Sequence, residues 1–278
     1  MTDLEEGFID VGTGGPLRYL RGGNPGGEKL LLLHGVHLSA DYFRGSLYPH
    51  LRERYAVLAL DLRGHGKSFR SDEPYTVENH SRDVLAFHGR LIGEPCHVIG
   101  FSLGGNVALA VCTRAPELAR KLVVVDVAPF VNRAGLERIL AAQRALPERF
   151  ENLETLQAFF YAAYRGISKV YVDEVLLHMW RKDDRGRYVT TYDRRIWHFP
   201  PDSMQAELLA LADAAEGLTL PVLLLRGGSS DILSREGAER FLARLPNGHL
   251  VEIPGADHGL LHEHPEACAQ VIRSFVEG

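Results

Sequence analysis

Cys96-His97-Val98-Ile99-Gly100-Phe101-Ser102-Leu103-Gly104-Gly105-Asn106-Val107 is the stretch from which the fold can be read. Its first half is a short, almost wholly apolar run, which reads as a strand buried on both faces. Its continuation, LGGNVALAVCTR (103–114), has the spacing of a helix. A strand that turns into a helix within one residue is the unit of an α/β protein. Working outward, the same kind of run recurs at KLLLLHG (29–35), YAVLALD (55–61), KLVVVDV (121–127), LPVLLLRGG (220–228) and HLVEIPG (249–255). Each ends in Gly, Asp or His, and helical patterns such as 235–245 lie between them. The alternation predicts a doubly wound α/β fold with a mostly parallel sheet. The segment FIDVGTGGPLRYLRGGNPGG (8–27) reads instead as an antiparallel hairpin with glycine-rich turns. The rhythm breaks between about 129 and 217. There the sequence turns helical and aromatic (LERILAAQRAL, LETLQAFFYAAYRG, VDEVLLHMWRKD, YDRRIWHFPPD, MQAELLALADAAEG), and no strand-like run fits.

Composition excludes several classes. The chain has 278 residues, 45% hydrophobic and 24% charged, which is ordinary for a globular protein and rules out disorder, collagen and coiled coil. No apolar run approaches a membrane span, and MTDLEEGFID has neither the basic nor the apolar region of a signal peptide. A cytoplasmic location is expected. Net charge is −5 with no basic patch, so no nucleic-acid partner is expected. Cys96, Cys112 and Cys268 are odd in number and far apart, and read as small buried hydrophobes.

The chemistry centres on Gly100-Phe101-Ser102-Leu103-Gly104. A serine on a sharp strand-to-helix turn needs small neighbours at −2 and +2, and two glycines meet that need. Serine requires a base. His258, in Pro254-Gly255-Ala256-Asp257-His258-Gly259 after the last strand, falls at the same sheet edge. An acid must orient the imidazole, and two aspartates follow strands at that edge: Asp126 in VVVDVAP and Asp231 in LRGGSSDILS. Both fit the chain order Ser, Asp, His. Two amide donors should stabilise a tetrahedral intermediate: that of Leu103, and that of Val36 in His34-Gly35-Val36-His37. The segment Asp61 to Ser68 (DLRGHGKS) lacks the glycine spacing of a phosphate loop and reads as a structural turn held by Asp61 and Arg63. His258, His262 and His264 lack the Cys or Asp that would complete a ligand set, so no metal is expected.

Taken together, His34-Gly35, Asp61 to Ser68, Gly100 to Gly105, Asp231 and His258 resemble the α/β-hydrolase fold superfamily. The resemblance covers most of the chain outside its middle third. It implies an eight-stranded sheet with the second strand antiparallel, and a helical cap inserted after the sixth strand. The core would be 1–129 and 216–278 and the cap 130–215. It also points to Asp231 as the acid, since most relatives take it from after the seventh strand; a minority use the position of Asp126. Relatives that cleave epoxides or carbon–halogen bonds carry Asp where this chain has Ser102. The expected activity is that of a serine esterase acting on a small, apolar carboxylic ester or lactone through an acyl-enzyme, without metal or organic cofactor. C–C bond hydrolysis of a vinylogous diketone, or ligand reception on a hydrolase scaffold, would use the same residues. Phe101, Phe130, Trp197 and Leu260 are the expected pocket residues. Phe159, Phe160, Tyr161 and Tyr164 fit cap core or pocket, and Arg194, Arg195 and His198 could meet a substrate carboxylate.

Overall fold

The computed structural model describes residues 4–130, 137, 141, 145–163, 173, 176, 179–198 and 201–278. Eight strands form one sheet: β1 (Glu5–Asp10), β2 (Pro16–Gly23), β3 (Lys29–Leu33), β4 (Ala56–Leu60), β5 (Cys96–Phe101), β6 (Ala119–Val125), β10 (Val222–Gly227) and β11 (Gly248–Ile253). Their spatial order is β1-β2-β4-β3-β5-β6-β10-β11. β2 pairs antiparallel with β1 and β4, and the pairs β4·β3, β3·β5, β5·β6, β6·β10 and β10·β11 are parallel. The hairpin and all six apolar runs are therefore strands of this sheet. β5 and β10 are buried along their whole length, which is why they read as unbroken apolar runs.

Helices cover both faces. The principal ones outside the middle third are α1 (Val77–Phe87), α2 (Leu103–Arg114), α5 (Arg235–Leu242) and α6 (Pro265–Glu277). Thr76 Oγ1 accepts the Asn79 N–H at the start of α1, and Ser234 Oγ accepts the Gly237 N–H at the start of α5. Such caps satisfy amides that have no intrahelical acceptor.

Between β6 and β10 the described residues include helices α3 (Leu153–Ala163) and α4 (Pro201–Ala215) and a 3₁₀ turn, Arg194–Trp197. They also include strands, which corrects the purely helical expectation: β7 (Arg149–Phe150), β8 (Trp180–Lys182) and β9 (Tyr188–Thr190) form a small antiparallel sheet. The cause is local turn chemistry. Asp183 Oδ1 accepts the N–H groups of Arg185 and Arg187, and Gly186 takes φ of +77°, so Asp-Asp-Arg-Gly reverses the chain between two three-residue strands. Of the stretches expected to be helical, 136–146 lies largely outside the described residues and 172–183 lies partly outside them, its described end carrying β8; Tyr164 lies outside them. Apolar residues of this region, among them Phe150, Leu156, Phe160, Trp180, Tyr192 and Ile196, share one continuous buried cluster with Tyr42, Phe101 and Leu260. These described residues thus pack onto the side of the sheet where β5 ends.

Candidate active site

β5 delivers Ser102 with φ 52° and ψ −119°, a conformation that L side chains rarely adopt. Packing enforces it. A Cβ on Gly100 would lie 2.1 Å from the Gly104 carbonyl oxygen, and one on Gly104 would lie 2.2 Å from that of Leu33. The two glycines let the β5–α2 turn close on itself and against β3. Serine often caps a helix through its hydroxyl, but the Ser102 hydroxyl does not cap α2. It faces His258 Nε2 at 3.2 Å.

His258 stands on the loop after β11. Gly228 N–H donates to Ile253 O, Ser229 N–H to Ala256 O, Gly259 N–H to Asp257 Oδ1 and Asp257 N–H to Glu263 Oε2, fixing the loop from both sides. The Phe101 ring lies 5.0 Å from the imidazole and stacks on Tyr42 at 5.3 Å, 8° from parallel. Beside this loop, burial pushes the Glu263 carboxyl up to about 7, assisted by Asp257 and the charge of Asp126.

His258 Nδ1 lies 2.7 Å from Asp126 Oδ2. This corrects the preference for Asp231. Asp126 is fully buried, follows β6 directly and has φ of +49°. Its carboxylate also accepts the Gly227 N–H (2.8 Å) and the Ser230 hydroxyl (2.5 Å). The loop after β10 therefore reaches the imidazole's partner with Ser230, while Asp231 is exposed. Ser230 was missed in sequence because a second serine in Gly-Gly-Ser-Ser-Asp carries no mark of facing inward.

The turn after β3 closes through Leu38 N–H to Gly35 O, with His37 at φ +69°. It abuts Ser102: a Cβ on Gly35 would lie 3.1 Å from the Phe101 ring and 3.2 Å from Ser102 Cβ. Among the described residues no protein acceptor engages the amides of Val36 or Leu103. The Asp61 segment buttresses the turn. Asp61 accepts the amides of Ala40 and Lys67, a Cβ on Gly66 would strike its carboxylate, and Leu62 N–H donates to His34 Nε2. Arg63 is fully buried and holds Asp83 through two 2.6 Å contacts.

The expected pocket residues divide. Phe101 lies against His258, and Trp197 packs on His37 at 4.5 Å between ring centres. Phe130 lies elsewhere, with Arg240 of α5 and Arg244 just beyond it over its ring. Leu260 is fully buried in the apolar core beside Cys268, whose thiol contacts its carbonyl. Phe160 is likewise core, Arg195 pairs with Asp193 and Asp72, and His198 is exposed.

The sequence model of the alpha/beta hydrolase family matches residues 30–271. A 2-(acetamidomethylene)succinate hydrolase of Mesorhizobium japonicum is 26% identical over 262 residues, 90% of this chain and 88% of that protein. A pimeloyl-[acyl-carrier protein] methyl ester esterase of Neisseria meningitidis is 30% identical over 260 residues, 90% of this chain and 77% of that protein. Among solved structures, an E-2-(acetamidomethylene)succinate hydrolase superposes with a TM-score of 0.87 at 24% identity, covering 99% of this chain and 100% of that one. An esterase of Mycobacterium tuberculosis superposes with a TM-score of 0.80 at 25% identity, covering 100% and 93%.

Proposed function

The chain belongs to the alpha/beta hydrolase family, and from that premise we propose that it is a serine hydrolase cleaving a small carboxylic ester or lactone through an acyl-enzyme. The supporting observation is the continuous hydrogen-bonded line Ser102–His258–Asp126 at the end of β5. His258 Nε2 takes the Ser102 proton as Oγ attacks the carbonyl, and Asp126 holds the other ring nitrogen and stabilises the imidazolium. The amides of Val36 and Leu103 receive the oxyanion. The imidazolium gives its proton to the leaving alcohol, and water activated by His258 then releases the acid. Residues 130–215 act as the cap over this site, and 1–129 with 216–278 as the core. That one relative is named a methyl ester esterase agrees with this chemistry.

The test is Ser102→Ala with a methyl ester series and a fluorophosphonate probe. Wild type is expected to turn over esters and take the label. The variant should fold, lose at least about a thousandfold in kcat and take no label. A variant that still labels or turns over would remove Ser102 from the reaction.

A further inference from the structure

Three polar atoms are buried without a hydrogen-bond partner: His37 Nε2 in the turn after β3, and Arg194 Nη1 and Trp197 Nε1 on the 3₁₀ turn whose Trp197 ring packs on His37. They come from two segments that meet. The His37 ring, with the residue only 7% exposed, lies against Tyr192 at 4.7 Å and Trp197 at 4.5 Å. Arg194 and Trp197 are the first and last residues of one 3₁₀ turn. In that helix type residues three apart eclipse, so the two side chains leave from the same side.

The segment carrying them is anchored. Asp193 N–H donates to Gly64 O at 2.7 Å, Tyr75 hydroxyl to Asp193 Oδ2 at 2.8 Å, and Arg70 to Thr191 O at 2.8 Å. The unpartnered donors therefore sit on a braced frame.

Their chemistry selects a ligand. Indole N–H and guanidinium N–H only donate. The guanidinium is permanently charged, and among the described residues no carboxylate pairs with Arg194. Its Nη2 donates to the neutral carbonyl of Leu146 at 2.8 Å. The adjacent Asp193 carboxylate is occupied by Arg195 and Tyr75. Burial pushes the His37 imidazole well below its usual range, and in the tautomer that carries its proton on Nε2 the neutral ring adds a third donor. His37 also keeps a positive φ, a backbone strain that persists only where its surroundings hold it.

We propose that His37, Arg194 and Trp197 form a subsite for a carboxylate carried by the substrate. This rests on the serine hydrolase reading above and narrows its substrate to a short ester bearing an acid group. The reach follows from the turn. Gly35 lies against Ser102, and the His37 Cα lies two residues on, at most about 7 Å from that of Gly35, so the substrate that spans both is short.

The experiment compares kcat/KM for monomethyl glutarate (charge on the acyl side), acetoxyacetate (charge on the alcohol side) and neutral methyl pentanoate. One charged ester should exceed the neutral one by at least about tenfold, and which one identifies the side. Arg194→Gln and Trp197→Phe should lower kcat/KM for that ester by about 10- to 100-fold, mainly through KM, and Arg194→Gln should leave methyl pentanoate within about threefold. Competition needs no variant: glutarate should inhibit methyl pentanoate hydrolysis competitively and glutaramide should not. A wild type that prefers methyl pentanoate, equal inhibition by both competitors, or variants that lose both esters equally would overturn the subsite. Fluorophosphonate labelling separates the two readings. Labelled Ser102 without acid preference sinks the subsite alone, whereas an unlabelled Ser102 sinks the hydrolase reading beneath it.

Discussion

Replacing Asp126 by its amide isostere tests the arrangement at its most specific point. The carboxylate accepts from three donors: Gly227 N–H at 2.8 Å, the Ser230 hydroxyl at 2.5 Å and His258 Nδ1 at 2.7 Å. Asparagine offers one acceptor oxygen and one NH₂, so however the amide is turned, at least one donor meets a donor. If the NH₂ faces His258, the ring is driven toward the wrong tautomer and Nε2 no longer accepts from Ser102. If it faces Gly227, a fully buried amide loses its acceptor. The first arrangement predicts a fall in kcat of about 10⁴, the loss expected when an orienting acid becomes an amide. The second predicts about 1–3 kcal/mol of destabilisation, a fall of roughly 2–6 °C in Tm for a chain of this size. Asp231→Asn alters an exposed side chain and should stay within about 0.5 kcal/mol, with activity within a few-fold of wild type. The assay is steady-state hydrolysis of a methyl ester beside a thermal melt of wild type and both variants. A dead Asp231→Asn with an active Asp126→Asn would refute the reasoning, whatever the melting temperatures.

Gly104→Ala places a Cβ 2.2 Å from Leu33 O and 2.7 Å from His34 O; the backbone must part by about an ångström, so kcat should fall by about 10²-fold with a lower Tm, read by kinetics and melting. Arg63→Met removes the bidentate partner of buried Asp83 and should cost about 3–5 kcal/mol, measured by urea unfolding; a loss below about 1 kcal/mol would show the pair contributes little. Burial raises the folded Glu263 carboxyl from about 4.5 to about 7, so the folded state binds its proton more tightly than the unfolded chain. That contribution to stability is full below about pH 4.5 and lost as pH rises through 7. Glu263→Gln should therefore narrow the Tm difference between pH 5.5 and pH 8.5, and an unchanged difference would refute it.

What the sequence made legible, and what it did not, follows from what each signal measures. Runs such as Val98-Ile99 or Leu223-Leu224-Leu225 report burial on both faces, and burial fixes strand and sheet. Gly100 and Gly104 report the absence of room beside backbone atoms, and the close approaches at both positions bear that out. The small sheet of β7, β8 and β9 went unread because strands of two or three residues are too short for a period to show. Its turn residues, Asp183 to Gly186, were the visible signal. Phe130 and Leu260 were expected in the pocket because aromatic and aliphatic residues serve core and pocket equally. Only the partner, two arginines for Phe130 and the core for Leu260, decides between them.

The aspartate beside His258 shows the same limit most sharply. β6 and β10 are parallel neighbours, and their last paired residues are Val125 and Leu225. Asp126 leaves one residue after that pair, and Asp231 six residues after Leu225, so both start from one corner of the sheet. A carboxylate from either could reach the imidazole of His258, and order along the chain is the same for both. The difference is which atom each loop turns inward. Asp126 is held by its own N–H to Leu225 O at 2.8 Å and has no length in which to turn away. The loop from Gly227 to Ser230 has that length, and spends it on binding Asp126 through an amide and a hydroxyl. The β10 loop therefore meets the carboxylate beside His258 through neutral donors and supplies no charge to that contact. On this account Ser230→Ala, which deletes one of three hydrogen bonds to the carboxylate, should cost about tenfold in kcat, well short of the loss for Asp126→Asn. Addition of the two losses in the double variant would show that Ser230 acts elsewhere. A double variant no worse than Asp126→Asn would show that Ser230 acts through the carboxylate.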